Sequence, residues 1–239
     1  QLGCGARGYR RKSYAGRIAF RRRKGKDGSN CKAGATVEGE SEKRTAGNIT
    51  KQDMVELGLS GGKDSTVVDD LVSKTLEDGD KKILHIFGDT TLEFPSTYEY
   101  VERYKKNHYK TPVISSRNKE KDFFELCSII GPPSRVMRWC CTIFKTGAIT
   151  RKIEKVFRNK NHIVTFYGIR RSESVSRSKY EKESESPKIA KQTVASPIIE
   201  WIDYDVWLYI LTTGIDFNYA YRLGYTRVGC WCCPNNSVW

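Results

Sequence analysis

Residues 54–68 read MVELGLSGGKDSTVV, and this stretch decides the fold. A short apolar run leads into Ser60-Gly61-Gly62-Lys63-Asp64-Ser65, after which apolar residues recur at helical spacing, so the pattern predicts a strand, a glycine turn and a helix. Two consecutive glycines let the backbone turn sharply and point several N–H groups inward. The helix behind them adds unpaired N–H donors and the positive end of its dipole, which suits a phosphate or pyrophosphate.

The side chains of this turn add to the predicted phosphate site. Ser60 and Ser65 carry hydroxyl donors, Lys63 a mobile positive charge, and Asp64 a carboxylate suited to Mg²⁺ or to a helix cap. An ordinary capped helix with Ser60 at its N-cap is the alternative, but six specified residues between strand and helix are much rarer than a loose glycine pattern. The Walker pattern G-x-x-x-x-G-K-[ST] is absent. The stretch instead resembles the PP-loop of the ATP-pyrophosphatase superfamily, whose members split ATP between its α and β phosphates.

Composition points to a polyanionic partner. The 239 residues carry a formal charge of +14, which indicates nucleic acid first, whereas a small anionic nucleotide alone is the simpler alternative. No apolar run reaches the roughly 20 residues of a membrane span, and no signal peptide is visible, so we expect no membrane partner and a cytoplasmic setting. Eight cysteines in such a chain favour metal ligands over disulfides.

Residues 1–47 differ from the rest, and we predict that they form a basic, glycine-rich extension to an α/β domain spanning 48–239. Ten basic residues and no acidic one precede Asp27, so this segment cannot bury enough apolar surface to fold alone. It is either a nucleic-acid-contacting arm or a solvated tail. Gln1 and the abrupt stop at Trp239 indicate a piece of a longer polypeptide.

From Met54 onward, apolar strands alternate with helical patterns, which predicts a doubly wound, mostly parallel sheet of the Rossmann-like type. Ligands bind beyond the carboxyl ends of the strands in such sheets. The glycine turn, Asp89-Thr90, Ser115-Ser116 and Gly168-Ile169-Arg170-Arg171 all follow predicted strands, so we expect them to share one site. Residues 180–192 read as a surface loop or lid, and a helix from Asp203 to Thr212 follows with Asp203 as its N-cap.

Three arginines just after a predicted strand form a second candidate anion site: Arg170, Arg171 and Arg177. Guanidinium groups match phosphate or sulfate oxygens two at a time. A basic surface cluster is the alternative interpretation.

Sulfur is the other strong signal. Cys140-Cys141 and one pair drawn from the later Cys230-Trp231-Cys232-Cys233 supply four thiolates, the number that suits zinc or a [4Fe–4S] cluster. Spacing leaves zinc open, and it leaves Cys232 competing with Cys233 for the fourth position. Cys127 lies on an apolar helical face and reads as core.

From about Val55 to Trp239, the chain resembles the phosphoadenosine phosphosulfate reductase family. The matching pieces are Ser60 to Ser65, Asp89-Thr90, Phe94 to Thr97, Trp139-Cys140-Cys141 with Lys145, Gly168 to Arg177, Pro197, Trp201, Asp205 to Trp207, Gly224-Tyr225, Gly229-Cys230 and Cys233-Pro234. The resemblance implies an adenine-nucleotide-binding fold. It also implies that Cys140, Cys141, Cys230 and Cys233 hold a [4Fe–4S] centre, with Lys145 near both the cluster and the substrate's charged group.

Two departures from the reductases refine this expectation. Their glycine loop is usually degenerate, whereas Ser60 to Ser65 is intact here, and no nucleophilic cysteine in a Glu-Cys-Gly-like context precedes Trp239. The chain is therefore more similar to the ATP-pyrophosphatase component of DNA phosphorothioation systems, or to cluster-dependent tRNA thiolation enzymes.

We therefore hypothesise an ATP-dependent, pyrophosphate-releasing sulfur-transfer enzyme acting on DNA or tRNA with Mg²⁺, in which the cluster would position or relay sulfur. Its sulfur donor would be a cysteine desulfurase or a thiol carrier. Asp89 and Thr90 would contact the adenosine or the metal. The expected catalytic residues are Lys63, Asp64, Lys145, Arg170 and Arg171. Alternatives are a reductase of adenylyl sulfate or its 3′-phosphorylated form, and a non-catalytic nucleotide-binding subunit.

Overall fold

A computed structural model describes residues 54–76, 82–108, 111–157, 162–186 and 192–235, all within one compact unit, Glu40–Trp239. The predicted extension 1–47 and its boundary with the α/β domain lie outside the described residues. In the described part of the chain, no helix combines the length and the apolar character needed to cross a bilayer.

One six-stranded sheet organises the described residues. Its strands are β1 (Met54–Leu59), β2 (Lys82–Gly88), β3 (Val113–Ser116), β4 (Ile163–Phe166), β5 (Glu183–Glu185) and β6 (Gln192–Ala195). They lie in the order β3-β2-β1-β4-β6-β5, and every neighbouring pair is parallel except β5 with β6. The predicted α/β fold with a mostly parallel sheet is confirmed.

Helices cover both faces of this sheet, as the apolar runs of buried parallel strands require. The helical elements are α1 (Lys63–Leu76), α2 (Pro95–Asn107), α3 (Phe123–Ile130), the π-helical turn Cys141–Thr146, α4 (Gly147–Val156) and α5 (Asp203–Thr213). On one face, Leu59 and Phe87 pack against aromatic side chains of α2. On the other face, Leu84 and Ile86 pack against Ile153 of α4.

The order of the strands fixes where a ligand can bind. The next strand in the chain, β2, pairs with one edge of β1, whereas β4 pairs with the opposite edge of β1. The loops that leave β1 and β4 therefore diverge, and the gap between them is the crevice in which ligands bind in doubly wound sheets. The glycine turn leaves β1 at this crevice.

The structure corrects the prediction for residues 180–192. Glu183–Glu185 forms an edge strand that pairs antiparallel with Gln192–Ala195, so a hairpin replaces part of the expected loop. Its sequence, Glu-Ser-Glu, is exposed and has no apolar member, because an edge strand facing water needs none. The helix predicted from Asp203 begins there, but its N-cap is Ile202, whose N–H donates to Asp205.

Candidate functional site

The glycine turn between β1 and α1 has the shape of an anion cradle. Gly61 has a φ of 72°, and a Cβ at this position would lie 2.7 Å from Cγ2 of Thr97, so glycine is required there for two reasons. Within the turn, the Ser60 and Ser65 hydroxyl oxygens lie 2.9 Å apart. The backbone N–H of Gly62 donates to the Ser60 hydroxyl at 3.3 Å. The turn and its hydroxyls thus form a compact group of donors ahead of α1.

Two distant side chains hold this turn from outside. The amide of Asn218 donates to the Gly61 carbonyl at 3.2 Å and to the Thr97 hydroxyl at 3.1 Å. The Tyr221 hydroxyl accepts from the Lys63 N–H at 3.0 Å. Sequence reasoning missed both residues, because they lie 157 and 158 residues from their partners and carry no local pattern of their own.

A cavity of about 640 Å³ opens beside the turn at the carboxyl ends of β1 and β4. Its volume is in the range of sites that hold a small ligand or cofactor. The predicted residues that line it are Ser60, Gly62, Lys63, Asp64, Ser65, Lys145, Arg170 and Arg177. The structure therefore brings together most of the residues expected to bind nucleotide.

Four charged side chains form a closed group in the wall of this cavity, which we call the charge tetrad: Lys63, Asp64, Arg170 and Asp203. The Lys63 Nζ lies 3.2 Å from Asp64 Oδ2 and 3.0 Å from Asp203 Oδ1. The Arg170 guanidinium reaches the same carboxylates, at 2.5 Å from Asp64 Oδ1 and 3.1 Å from Asp203 Oδ1. Lys63 and Arg170 are almost fully buried, whereas the Asp203 side chain is 60% exposed.

The tetrad carries two positive and two negative charges and is formally neutral. Lys63 and Arg170, two of the cations predicted to bind phosphate, are thus already paired with carboxylates. A polyphosphate that enters the cavity must compete with Asp64 and Asp203 for them, or arrive with a cation that occupies the carboxylates. Asp203 was predicted only as a helix cap, since an aspartate at the start of a helix has a sufficient local explanation.

The other two predicted arginines, Arg171 and Arg177, lie outside the charge tetrad. Arg171 points away from the cavity, where its side chain pairs with Glu200 and donates to the Tyr180 carbonyl. Arg177 lines the cavity but is paired with Glu173.

Asp89 and Thr90 are placed beside the nucleotide cavity and not in its wall. The Asp89 carboxylate accepts from the Thr91 N–H and from the Tyr98 hydroxyl. The Thr90 hydroxyl lies 3.2 Å from Cys230 Sγ, so Thr90 belongs to the cysteine site described next.

The cysteines gather around a smaller cavity of about 120 Å³, to which both sulfur-bearing segments contribute: Cys140, Cys141, Cys230, Cys232 and Cys233. The first pair stands at the start of the π-helical turn. The second segment is held by a bridge between Cys230 and Glu93 and by the Trp231 N–H, which donates to the Leu92 carbonyl at 2.9 Å. Cys127 packs against the apolar cluster behind this cavity.

The environment of these thiols disfavours their unmetallated thiolate forms. Burial raises the pKa of Cys230 to about 12, and the nearby Glu93 carboxylate adds to the shift. Burial also raises the pKa of Cys140 to about 11, with Cys141 and then Cys233 contributing. Cys140 and Cys233 are therefore electrostatic neighbours although they are far apart in sequence.

The donor set of this cavity consists of thiols from two separate segments of the chain. Among the described residues, no three cysteine, histidine or acidic side chains converge as the ligands of one metal ion do. The two cysteine pairs nevertheless line one cavity whose other walls include Leu92, Phe123 and Phe144. Thiolates in pairs, in an apolar surrounding, are the donors that iron–sulfur clusters use.

The nucleotide and cysteine cavities are neighbours. Lys145, Arg227 and Val228 line both of them. Burial raises the pKa of Glu93, and the Lys145 ammonium partly opposes this rise, so its charge acts on the cysteine side as well. A ligand in either cavity would meet the Lys145 side chain.

A glycine cradle ahead of a helix N-terminus, at the switch point of a doubly wound sheet, defines an α/β nucleotide-binding protein of the PP-loop class. Residues 55–236 match the phosphoadenosine phosphosulfate reductase domain, and the chain belongs to that family. An uncharacterised protein of Methanocaldococcus jannaschii is 36% identical over 80% of this chain. The adenosine 5′-phosphosulfate reductase of Anoxybacillus flavithermus is 30% identical over 72% of this chain and 68% of that enzyme. The chain spans 38% and 41% of the length of two archaeal relatives.

Solved structures agree on the fold. The phosphoadenylyl-sulfate reductase of Candida auris, in complex with phosphate, matches with a TM-score of 0.58 at 20% identity over 81% of this chain and 88% of that one. The U34-tRNA thiolase NcsA of Methanococcus maripaludis, solved with its [4Fe-4S] cluster, matches with a TM-score of 0.51 at 14% identity over 74% and 63%. An FMN adenylyltransferase of Candida glabrata bound to FMN and an ATP analogue matches with a TM-score of 0.58 at 15% identity, over 80% of this chain and 61% of that one.

Proposed function

We propose that this chain is the nucleotide-activating part of an ATP-dependent sulfur-transfer enzyme that acts on nucleic acid. The observation that carries the proposal is the juxtaposition of an intact Ser60–Ser65 cradle with a cavity lined by five cysteines, both of which border Lys145. The cradle suits the pyrophosphate end of ATP, and the cysteine cavity suits sulfur chemistry. An anion cradle does not require a cysteine cavity beside it, and a cysteine cavity does not require an anion cradle.

In this proposal the cradle binds the β and γ phosphates of Mg–ATP through its backbone N–H groups and the Ser60 and Ser65 hydroxyls. Asp64 exchanges its cationic partners for Mg²⁺, which leaves Lys63 and Arg170 paired only with the exposed Asp203 and able to bind phosphate oxygens. An oxygen of the acceptor attacks the α-phosphorus, the bond to pyrophosphate breaks, and the acceptor becomes adenylated. Lys63 and Arg170 stabilise the charge that develops on the phosphates, and a hydrosulfide-level sulfur then displaces AMP from the acceptor.

The cysteine cavity is proposed to hold a [4Fe–4S] cluster on Cys140, Cys141, Cys230 and either Cys233 or Cys232. When bound, such a cluster supplies iron that can ligate sulfur next to the activated acceptor. Lys145 supplies a positive charge between the two cavities.

Nucleic acid is proposed as the acceptor because of charge. The formal charge of +14 exceeds what a single nucleotide needs, and the ten basic residues before Asp27 add a candidate backbone-binding segment. A fold neighbour, the thiolase NcsA, acts on tRNA by its name. A cysteine desulfurase or a thiol carrier is the class of donor that this chemistry requires.

Release of pyrophosphate and AMP from ATP tests the proposal. The full chain would be incubated anaerobically with Mg–ATP and bulk tRNA or DNA, beside the variants Lys63→Met and Lys74→Met. Lys63→Met removes a buried cavity cation and should lower pyrophosphate release roughly 100-fold. Lys74→Met, which removes an exposed lysine of α1 paired with Asp70, should leave it unchanged. Binding of ATP without any AMP or pyrophosphate, whatever the acceptor, would exclude adenylation.

A reductase of adenylyl sulfate is the second candidate, and the observation in its favour is the 30% identity to an adenosine 5′-phosphosulfate reductase. The same cradle would then bind the nucleotide phosphate, and an external thiol would supply the electrons. Sulfite formed from labelled adenylyl sulfate, without need of ATP, would favour this candidate over sulfur transfer.

A further inference from the structure

A third cavity, of about 760 Å³, lies on the α4 face of the sheet. There α4 packs over β2 and the start of β4, through Ile153 and Phe157. The same face of the sheet continues over β6 and the end of β4, where it borders this cavity. Among the described residues, no further helix covers that part of the face. Both faces of a mostly parallel sheet are normally covered, so an open part of one is a place where a ligand can contact the sheet itself.

This third cavity adjoins the nucleotide cavity. Lys145, Ile149, Tyr167 and Ile169 line both of them. The Tyr167 ring lies over Gly58, where a Cβ would come within 3.0 Å of it, so the ring stands at the floor of the nucleotide cavity as well. Ligands in the two cavities would lie next to each other, with the side chains of Tyr167 and Lys145 at their common border.

The lining of the third cavity combines apolar side chains with a small surplus of positive charge. Two lysines, Lys145 and Lys179, and one carboxylate, Glu181, line it. Hydroxyl side chains from α4, from β5 and from the loop between β6 and α5 also line it. At its floor, the buried Gln192 has its amide fixed by a hydrogen bond to Thr165 at 2.6 Å. Tyr180, 47% exposed, stands in the wall beside Lys179. A fixed amide, two lysines and an accessible aromatic ring are the groups that bind a base and its phosphates.

We propose that this third cavity binds one unpaired nucleotide of the nucleic-acid acceptor, next to the ATP whose α-phosphorus it attacks. This inference rests on the proposed function and names the place of its acceptor. The volume is comparable to that of the nucleotide cavity and admits one nucleotide unit, not a duplex. The acceptor base must therefore be single-stranded or turned out of its helix, with Tyr180 stacking on it and Lys179 contacting a phosphate.

The test measures binding of short fluorescent single-stranded DNA and RNA to the full chain, in the presence of a non-hydrolysable ATP analogue. Tyr180→Ala and Lys179→Gln should each weaken oligonucleotide binding roughly five- to tenfold, the effect of losing one stacking ring or one phosphate contact. The matched control is Lys155→Gln, which removes an exposed lysine of α4 outside the cavity. A fully paired duplex has no base to place in the cavity, so its affinity for the chain should change much less in either variant.

Binding of the ATP analogue, measured separately, should stay within twofold of wild type in all three variants, which also verifies that they are folded. Unchanged oligonucleotide affinity in Tyr180→Ala and Lys179→Gln would overturn the proposal. So would an equal loss of ATP-analogue affinity, because the cavity would then be part of the nucleotide site. If the variants weaken oligonucleotide binding while no pyrophosphate is ever released, the acceptor site stands and the proposed function fails.

Discussion

At the scale of single residues, Asp203 changes how the nucleotide cavity is understood. The sequence presents Lys63 and Arg170 as free cations for phosphate, but each is paired with both Asp64 and Asp203. Buried cations without partners would be costly, so the carboxylates hold them in place until a ligand arrives. The cost of this arrangement is that anions meet a neutral group instead of a positive one.

Asp203→Asn should therefore strengthen binding of metal-free pyrophosphate. The substitution leaves one net positive charge on the tetrad, and one unit charge at this partly exposed position corresponds to roughly a tenfold gain in affinity. Titration calorimetry in the presence of a chelator measures it. Asp216→Asn removes a carboxylate that pairs with Arg103 on the surface and serves as the control for charge alone. Unchanged or weaker binding by Asp203→Asn would mean that Asp203 supports the ligand and does not compete with it.

Glu56 makes a second prediction at this scale. It is fully buried on β1 opposite Thr165. Burial raises its pKa from an ordinary 4.5 to about 8, partly opposed by the Thr165 hydroxyl. The folded chain keeps a proton that the unfolded chain has released, so wild-type stability falls as pH rises from about 4.5 to about 8.

Glu56→Gln, which mimics the neutral acid, should escape this loss. Its free energy of unfolding relative to wild type should grow across that pH window, by a few kcal/mol in total, and level off above it. Urea denaturation at several pH values measures the difference. Glu154→Gln, on the exposed side of α4, should show no such trend. A pH-independent difference for Glu56→Gln would show that Glu56 is ionised in the folded chain.

At the scale of elements, the sequence predicts what local pattern controls. The alternation of apolar strands with helical patterns from Met54 onward agrees with β1 to β4 and with helices α1 to α4, because each of these elements buries an apolar face. The hairpin of β5 and β6 was not predicted, because β5 has no apolar residue and is ordered by its pairing with β6 and not by its own composition. Arg171 follows Arg170 in sequence, but Arg170 has extended backbone and Arg171 begins a short 3-10 helix. Of these two arginines, Arg170 lines the cavity and Arg171 pairs with Glu200.

The loop after β4 passes close to the first turn of α1. A Cβ on Gly168 would lie 2.6 Å from the Asp64 carbonyl carbon and 2.7 Å from the Ser65 nitrogen, both of them backbone atoms that cannot yield. Gly168→Ala should lower the free energy of unfolding by roughly 2–3 kcal/mol and abolish ATP-analogue binding, because the loop that carries Arg170 must move. Gly229→Ala, where a Cβ meets nothing within 4 Å, is the matched control for stability. Near-wild-type melting and binding by Gly168→Ala would contradict this packing.

At the scale of the whole molecule, the sheet brings together residues that the sequence keeps far apart. The resemblance to cluster-bearing reductases predicted that Cys140-Cys141 would meet Cys230 and Cys233, and these side chains do line one cavity. The resemblance also implied Lys145 beside them, and Lys145 lines this cavity, whereas nothing local indicated that Thr90, just after β2, would line it too. Neighbouring strand ends put the nucleotide and sulfur sites side by side.

The cluster ligands can be assigned by iron content, independently of activity. After anaerobic reconstitution with iron and sulfide, the wild-type chain should hold roughly four iron atoms, and Cys140→Ser, Cys141→Ser and Cys230→Ser should each hold far less, because a cluster corner loses its thiolate. One of Cys232→Ser and Cys233→Ser should lose iron and the other keep it, which decides the fourth ligand. Cys127→Ser is the control, since Cys127 packs in the apolar cluster behind the cavity and should keep full iron. Equal loss in every variant, or one zinc per chain in place of iron, would refute the cluster.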